Sequence, residues 1–225
     1  MLAVIVLVEF KPAFIGWAWS RFVLGRLPLL GTPGLRFTKV LGSGHEGGFG
    51  VRPSATRQGL FLIFDTEANA DRFLNSSRLI KAYTSRSREL FSCKLLAYSC
   101  KGSWSGQSMT LQGREPTQGP IAALTRASIR PMKALDFWRH APPAETSLGQ
   151  AEGCLIAVGL GEAPLLRQAT FSIWESAEAM NNYARSGAHL HAIRAALGGG
   201  HFSESMFVRF QPIAARGVWK GKVFC

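Results

Sequence analysis

Cysteine is scarce in this chain of 225 residues: Cys93, Cys100, Cys154 and Cys225 are the four, never in CxxC spacing. That excludes a zinc ribbon and a redox dithiol. The unpatterned spacing fits reduced thiols in a cytoplasm. Acidic residues are few as well, 14 against 26 Lys and Arg, for a formal net charge of +12. Paired carboxylates for acid–base hydrolysis are therefore lacking. No two histidines stand at i, i+4 with a carboxylate in metal-ligand spacing. The Gly-rich loop Gly44 to Gly50 contains no GxxxxGK[ST] and leads no GxGxxG into a helix, and no serine has a nucleophile-elbow pattern. Long apolar runs are missing too. The apolar opening meets Glu9 and Lys11 well before the roughly 20 residues that a membrane span needs. It also has no basic n-region or small-residue cleavage site, so it reads as a buried strand. The positive charge is dispersed, densest at Arg78, Lys81, Arg86 and Arg88, and no RNP1-like aromatic pattern accompanies it. No nucleic-acid partner is expected, and strong salt-dependent affinity for oligonucleotides would reverse that reading. The expected location is cytoplasmic, or peripheral at the inner membrane.

What the chain has is a globular composition, 47% hydrophobic and 18% charged, and an internal echo. At one spacing of 119 residues Pro12 falls on Pro131, Trp19 on Trp138 and Gly34 on Gly153. At a spacing of 110, Leu62-Ile63-Phe64-Asp65-Thr66 falls on Ser172-Ile173-Trp174-Glu175-Ser176. The difference lies in the Gly-rich loop, longer in the first half. Both halves end alike, in Gly102-Ser103-Trp104-Ser105-Gly106 and Gly217-Val218-Trp219-Lys220-Gly221. A duplicated unit follows: residues 1–112 and 120–225 are the two repeats, and 113–119 the linker.

Periodicity assigns each repeat the same elements. In the first, Val4 to Phe10 is a strand and Ala13 to Leu30 a helix; Arg36 to Leu41 and Leu60 to Phe64 are strands. A helix capped by Thr66 buries Ala70, Phe73 and Leu74, and Phe91 to Tyr98 is the last strand. In the second, Ala122 to Ile129, Leu155 to Leu160, Gln168 to Trp174 and Ser205 to Phe210 are strands. Helices cover Lys133 to Arg139 and the stretch after Ser176. The order βαββαβ predicts an α+β fold of ferredoxin-like halves. Helices cover one face of each antiparallel sheet, so two fused copies can pack sheet against sheet, as in the dimeric α/β barrels. A cavity between sheet and helices is then available in each half.

One position breaks the echo in a chemically pointed way. Gly187 interrupts the helix that follows Ser176, and a second helical stretch from Ala188 to Leu197 sets His189, Ile193 and Ala196 on one face. A neutral imidazole beside a dry face suits an axial haem ligand. A hydrogen-bonded structural histidine is the other reading. The repeat-equivalent residue is Leu79, so the fold does not itself demand a histidine there. His45, His140 and His201 read as loop or helix-end positions.

The segments Ile121 to Pro131, Gly159-Leu160-Gly161-Glu162-Ala163-Pro164, Gln168 to Trp174 and Gly187-Ala188-His189 resemble the spheroidene monooxygenase family. Pro33-Gly34-Leu35 to Gly42 and Trp104-Ser105-Gly106 extend the resemblance over nearly the whole chain. The family belongs to the carotenoid pathway of purple phototrophic bacteria. The resemblance implies a haem b enzyme that uses dioxygen and electrons from reduced ferredoxin to oxidise C-2 of acyclic carotenoids to a ketone. It implies His189 as the iron ligand. Arg185 and Arg194 would then pair with propionates, or else stay solvated, and Tyr183 and Trp174 would flank the pocket, or else pack in the core. A carotenoid substrate implies contact with the bilayer, for which Phe14 to Leu30 is the candidate; packing on the first sheet is the alternative for that segment. A non-catalytic barrel binding haem or a small apolar ligand is the competing function.

Overall fold

A computed structural model describes residues 1–25, 27–48, 52–139, 148, 150–163, 165–185 and 198–225. The chain divides into two compact units. Unit 1 holds Met1–Gly42, Ser54–Leu96 and Pro212–Cys225; unit 2 holds Ser43–Pro53 and Ala97–Gln211. The fold class is the expected one, α+β with two βαββαβ repeats, of the dimeric α/β-barrel type.

In unit 1 the strands are β1 (Leu2–Phe10), β2 (Leu35–Gly44), β3 (Pro53–Phe64) and β4 (Ser87–Gly102), in sheet order β4-β1-β3-β2. The run Val4-Ile5-Val6-Leu7-Val8 makes β1 a fully buried central strand, as β-branched residues favour. Helix α1 (Ile15–Leu24) stops at Gly25, whose φ of 53° a side chain would resist. The predicted continuous helix from Ala13 to Leu30 is therefore three pieces: 3₁₀ turns at Pro12–Phe14 and Leu27–Leu29 flank α1. Thr66 accepts from the Asn69 N–H to cap α2 (Glu67–Ser76). Ser77 accepts from the Ile80 N–H to open α3 (Arg78–Arg86), a helix the apolar pattern did not announce. Leu2, Val4, Val6, Val8, Leu60 and Leu62 pack against the α2 and α3 side chains Phe73, Leu74, Ile80 and Tyr83, forming the core of unit 1.

Unit 2 repeats the plan with β5 (Ile121–Ile129), β6 (Cys154–Ala163), β7 (Arg167–Trp174) and β8 (Phe202–Trp219), in order β6-β7-β5-β8. A 3₁₀ turn at Pro131–Lys133 leads into helical residues 134–139. Helix α4 (Ala177–Ala184) is capped by Ser176, which accepts from the Ala179 N–H. Register is conserved between the repeats. Leu2 faces Phe64 and Val8 faces Gln58 in one; Ile121 faces Trp174 and Ala127 faces Gln168 in the other. Even the bulges coincide, at Glu9/Phe10 and at Ser128/Ile129.

The matching chain ends fold into matching turns. Gly102 and Gly217 have φ of 82° and 103°, and a Cβ on either would collide with the backbone carbonyl of Ser205 or Leu90 respectively. Both glycines are thus required by close backbone approach. Trp104 and Trp219 are buried after them. Each turn is then held by a glutamate. Glu204 accepts from the Gly106 N–H, and Glu89 accepts from the N–H groups of Lys220 and Gly221. A short strand, β9 (Lys222–Phe224), pairs back on the end of β8.

Candidate functional site

Strand alternation gives each sheet a face toward its own helices. In unit 1 that face carries Val4, Val6, Val8, Leu60 and Leu62. The residues in the same register of unit 2 are Ala123, Thr125, Ala127, Thr170 and Ser172. Every one is smaller or more polar than its counterpart. Ala123 packs with Ile121, Trp174, Met180 and Tyr183, which fixes this as the α4 side of the sheet. Gly159 pairs with Thr170 and Ala157 with Ser172, so the small surface continues across β6. Its burial also differs: Val6 and Leu60 are 0% and 1% exposed, whereas Thr125 and Thr170 are only partly buried. Unit 1 spends this face on packing its helices. In unit 2 Ala127 and Ser172 are buried, and Ala123, Thr125 and Thr170 are partly buried.

Aromatic groups border the trimmed face. Trp174 is buried, donates its indole N–H to Ser172 Oγ at 2.9 Å, and lies 5.2 Å from the Tyr183 ring on α4. Phe207 stands beside Thr125 on β8, in register with it. Arg209, in register with Ala123, donates to Asn181 Oδ1 on α4 at 3.1 Å. The sequence reading passed over Arg209; strand alternation from Phe207 was the signal for it. Of the residues singled out from sequence, Trp174 and Tyr183 come together here, and Arg185 is exposed just past the end of α4. His189 and Arg194 lie outside the described residues, as does His140.

Charged chemistry sits on the opposite face. Arg126 alternates with Thr125 and is 3% exposed. It is paired with Glu204 and lies 3.4 Å from Glu162, over the Trp104 ring. The Trp104 indole donates to Glu162 Oε1 at 2.6 Å. Burial alone would raise the Glu204 carboxyl, but the N–H groups of Gly106 and Ser105, the Ser103 hydroxyl and Arg126 outweigh it, holding its pKa down to about 2. A depressed carboxylate stabilises the fold above its unfolded value and loses that contribution as pH falls toward the folded one. Acid unfolding should therefore have a component between about pH 4.5 and 2 that Glu204→Gln removes, read by circular dichroism. An unchanged acid profile would count against this linkage.

Two further histidine and cysteine placements settle what those groups do. His201, read from sequence as a loop residue, is buried and lies 2.7 Å from Asp136 Oδ2, tying the start of β8 to helical residues 134–139. None of the four cysteines is in a disulfide; burial pushes the Cys93 thiol up to about 12, leaving it protonated and inert. Among the described residues no cluster of three His, Cys, Asp or Glu could hold a bare metal ion. None of their helices is long and apolar enough to cross a membrane.

The chain is 55% identical over 219 residues to the spheroidene monooxygenase of Rubrivivax gelatinosus, covering 97% of this chain and 85% of that one. To the spheroidene monooxygenase of Rhodobacter capsulatus it is 36% identical over 210 residues, covering 92% and 87%. No protein-family model matches the chain. Among solved structures, aldoxime dehydratase superposes with a TM-score of 0.54 at 12% identity, covering 94% of this chain and 80% of that one. That last likeness is one of fold alone.

Proposed function

Because this chain belongs to the spheroidene monooxygenase family, we propose that it oxygenates an acyclic carotenoid such as spheroidene, using a b-type haem seated on the trimmed face of unit 2. The observation that carries the reading is the systematic exchange of Val and Leu in unit 1 for Ala, Thr and Ser in unit 2, at unchanged register. Such an exchange costs packing unless something else fills the space. A flat, mostly apolar macrocycle with an anionic edge fits the residues present. Ala123, Ala127, Ala157 and Gly159 leave room for it, Trp174 and Tyr183 wall one side, and Arg209, 3.9 Å from Glu115, is a cation within the same face. His189 is the residue proposed to ligate the iron, with Arg185 and Arg194 as further partners for the propionates. When bound, the haem supplies activation of dioxygen with electrons from a donor, here proposed to be reduced ferredoxin.

The chain's own groups orient and dry the site. Phe207 and the alanines keep water from the reacting carbon, while Thr125 and Thr170 offer hydroxyls at fixed register. The proposed product is the 2-ketone. Turning a methylene into a ketone takes two successive insertions of one oxygen atom, each using one dioxygen, two electrons and two protons and releasing water. The resulting geminal diol then loses water.

Filling the face tests the seat without relying on turnover. Ala123→Val and Thr170→Leu restore the bulk that unit 1 has at Val4 and Leu60. Haem titration should show roughly tenfold or greater loss of affinity, with the thermal midpoint unchanged or raised. Wild-type haem affinity in both variants would place the cofactor elsewhere. A haem-loaded protein that consumes no oxygen with reductant and carotenoid would leave only the ligand-binding function.

A further inference from the structure

Unit 1 carries an exposed apolar ridge beside an uncompensated basic groove. Helix α1 buries Ala18, and its Trp17 meets both Phe10 and Tyr83 edge-on, beneath the Arg86 guanidinium. The helix therefore does pack on the first sheet, but by that one edge only. Trp19, Leu27 and Leu30 are 43%, 61% and 72% exposed, and Val23 more so. Large apolar residues gathered in one segment at this exposure mark an interaction site rather than ordinary surface. Leu30 also lines a groove of about 510 Å³ together with Thr32, Asn69, Arg72, Ser76 and Arg78.

Charge decides what the ridge and groove fit. No acidic residue occurs between Glu9 and Glu46. The carboxylates nearest the groove in sequence are engaged: Asp65 accepts from Asn69 and pairs with Arg36, and Glu67 and Asp71 both pair with Lys94. Arg72 and Arg78 are exposed and make no ion pair or hydrogen bond among the described residues. We propose that this ridge and groove dock on the surface of an anionic membrane, Trp19, Val23, Leu27 and Leu30 entering the interface while Arg72 and Arg78 take up lipid phosphates. An apolar, aromatic-bearing edge beside free arginines is what an interfacial segment needs. The dispersed +12 charge adds long-range attraction to the same surface.

The inference stands on unit 1 and does not require the haem reading, because its test uses neither cofactor nor carotenoid. The whole protein is floated with vesicles of phosphatidylcholine alone and of phosphatidylcholine mixed with phosphatidylglycerol, at low salt. Binding to the mixed vesicles is expected, and little to the neutral ones. The Arg72→Gln/Arg78→Gln variant should bind roughly thirtyfold more weakly, at about fivefold per arginine. The Leu27→Ser/Leu30→Ser variant should lose roughly tenfold or more. Both alter exposed side chains, so circular dichroism should match wild type. No flotation on anionic vesicles, or equal flotation by both variants, overturns the proposal. So does a leucine variant that shifts self-association in sedimentation velocity while vesicle binding stays as it was, since the ridge would then serve a second copy of the chain.

Discussion

Replacing His189 by Leu should abolish haem binding and carotenoid oxygenation while leaving the protein folded. The first repeat makes this a clean substitution. Leu79 holds the equivalent position there, partly buried against the core of unit 1, so the fold already accommodates leucine at that place in the repeat. Removing a partner that merely supports a metal ligand costs about 10–100-fold in affinity or activity. Loss of the ligand itself should therefore exceed roughly a hundredfold in haem affinity, with no 2-keto product in a spheroidene-producing host. The check is a Soret titration of wild type and variant beside their melting curves. A Soret band of unchanged position and amplitude in the variant would remove His189 from the iron. A lowered midpoint with haem retained would instead assign it a packing role.

Arg126→Ala should be the most destabilising single change outside the apolar core. The guanidinium is 3% exposed and stands between the carboxylates of Glu162 and Glu204. Its loss leaves the Glu162 and Glu204 carboxylates, 14% and 24% exposed, without the cation they share, with the Trp104 indole still bonded to one of them. Breaking a buried pair from one side costs about 3–5 kcal/mol, a large share of the 5–15 kcal/mol typical of a domain. Urea unfolding measures it. The triple variant Arg126→Met/Glu162→Gln/Glu204→Gln should recover much of the loss, because it removes the orphaned charges along with their partner. A cost under about 1 kcal/mol for Arg126→Ala would mean that solvent already screens the cluster.

The repeats were legible because register leaves a trace in the chain. Glycines and apolar pairs recur at fixed spacing, and Thr66 and Ser176 announce their helices by the same capping chemistry. Helix α3 was not legible. Its buried face amounts to Ile80 and Tyr83, too short a stripe to stand out among Arg78, Lys81 and Arg86, although Ser77 was a usable cap signal. Strand β4 runs on past Tyr98 through Ser99, Cys100 and Lys101, and β8 past Phe210 through Gln211, Pro212 and Arg216, where the apolar alternation that marks a strand in the sequence has broken down. The Arg126 cluster and the His201–Asp136 pair join residues far apart in sequence, and nothing local marks either as buried. The trimmed face lay in plain sight. Setting β1 on β5 residue by residue puts Ala123 on Val4 and Thr125 on Val6.

The division of the chain between the two units carries a consequence for synthesis. Unit 1 needs Pro212–Cys225, and β4 leaves it to end in unit 2. Unit 1 therefore waits for Pro212–Cys225, which are made after every segment of unit 2. Contacts of such long sequence separation slow folding, since the loop must close before they form. Unit 1 is thus begun before unit 2 and completed after it. During that interval its unpaired strand ends and the apolar side chains around α1 are exposed together, which is when a nascent chain of this design depends most on chaperones.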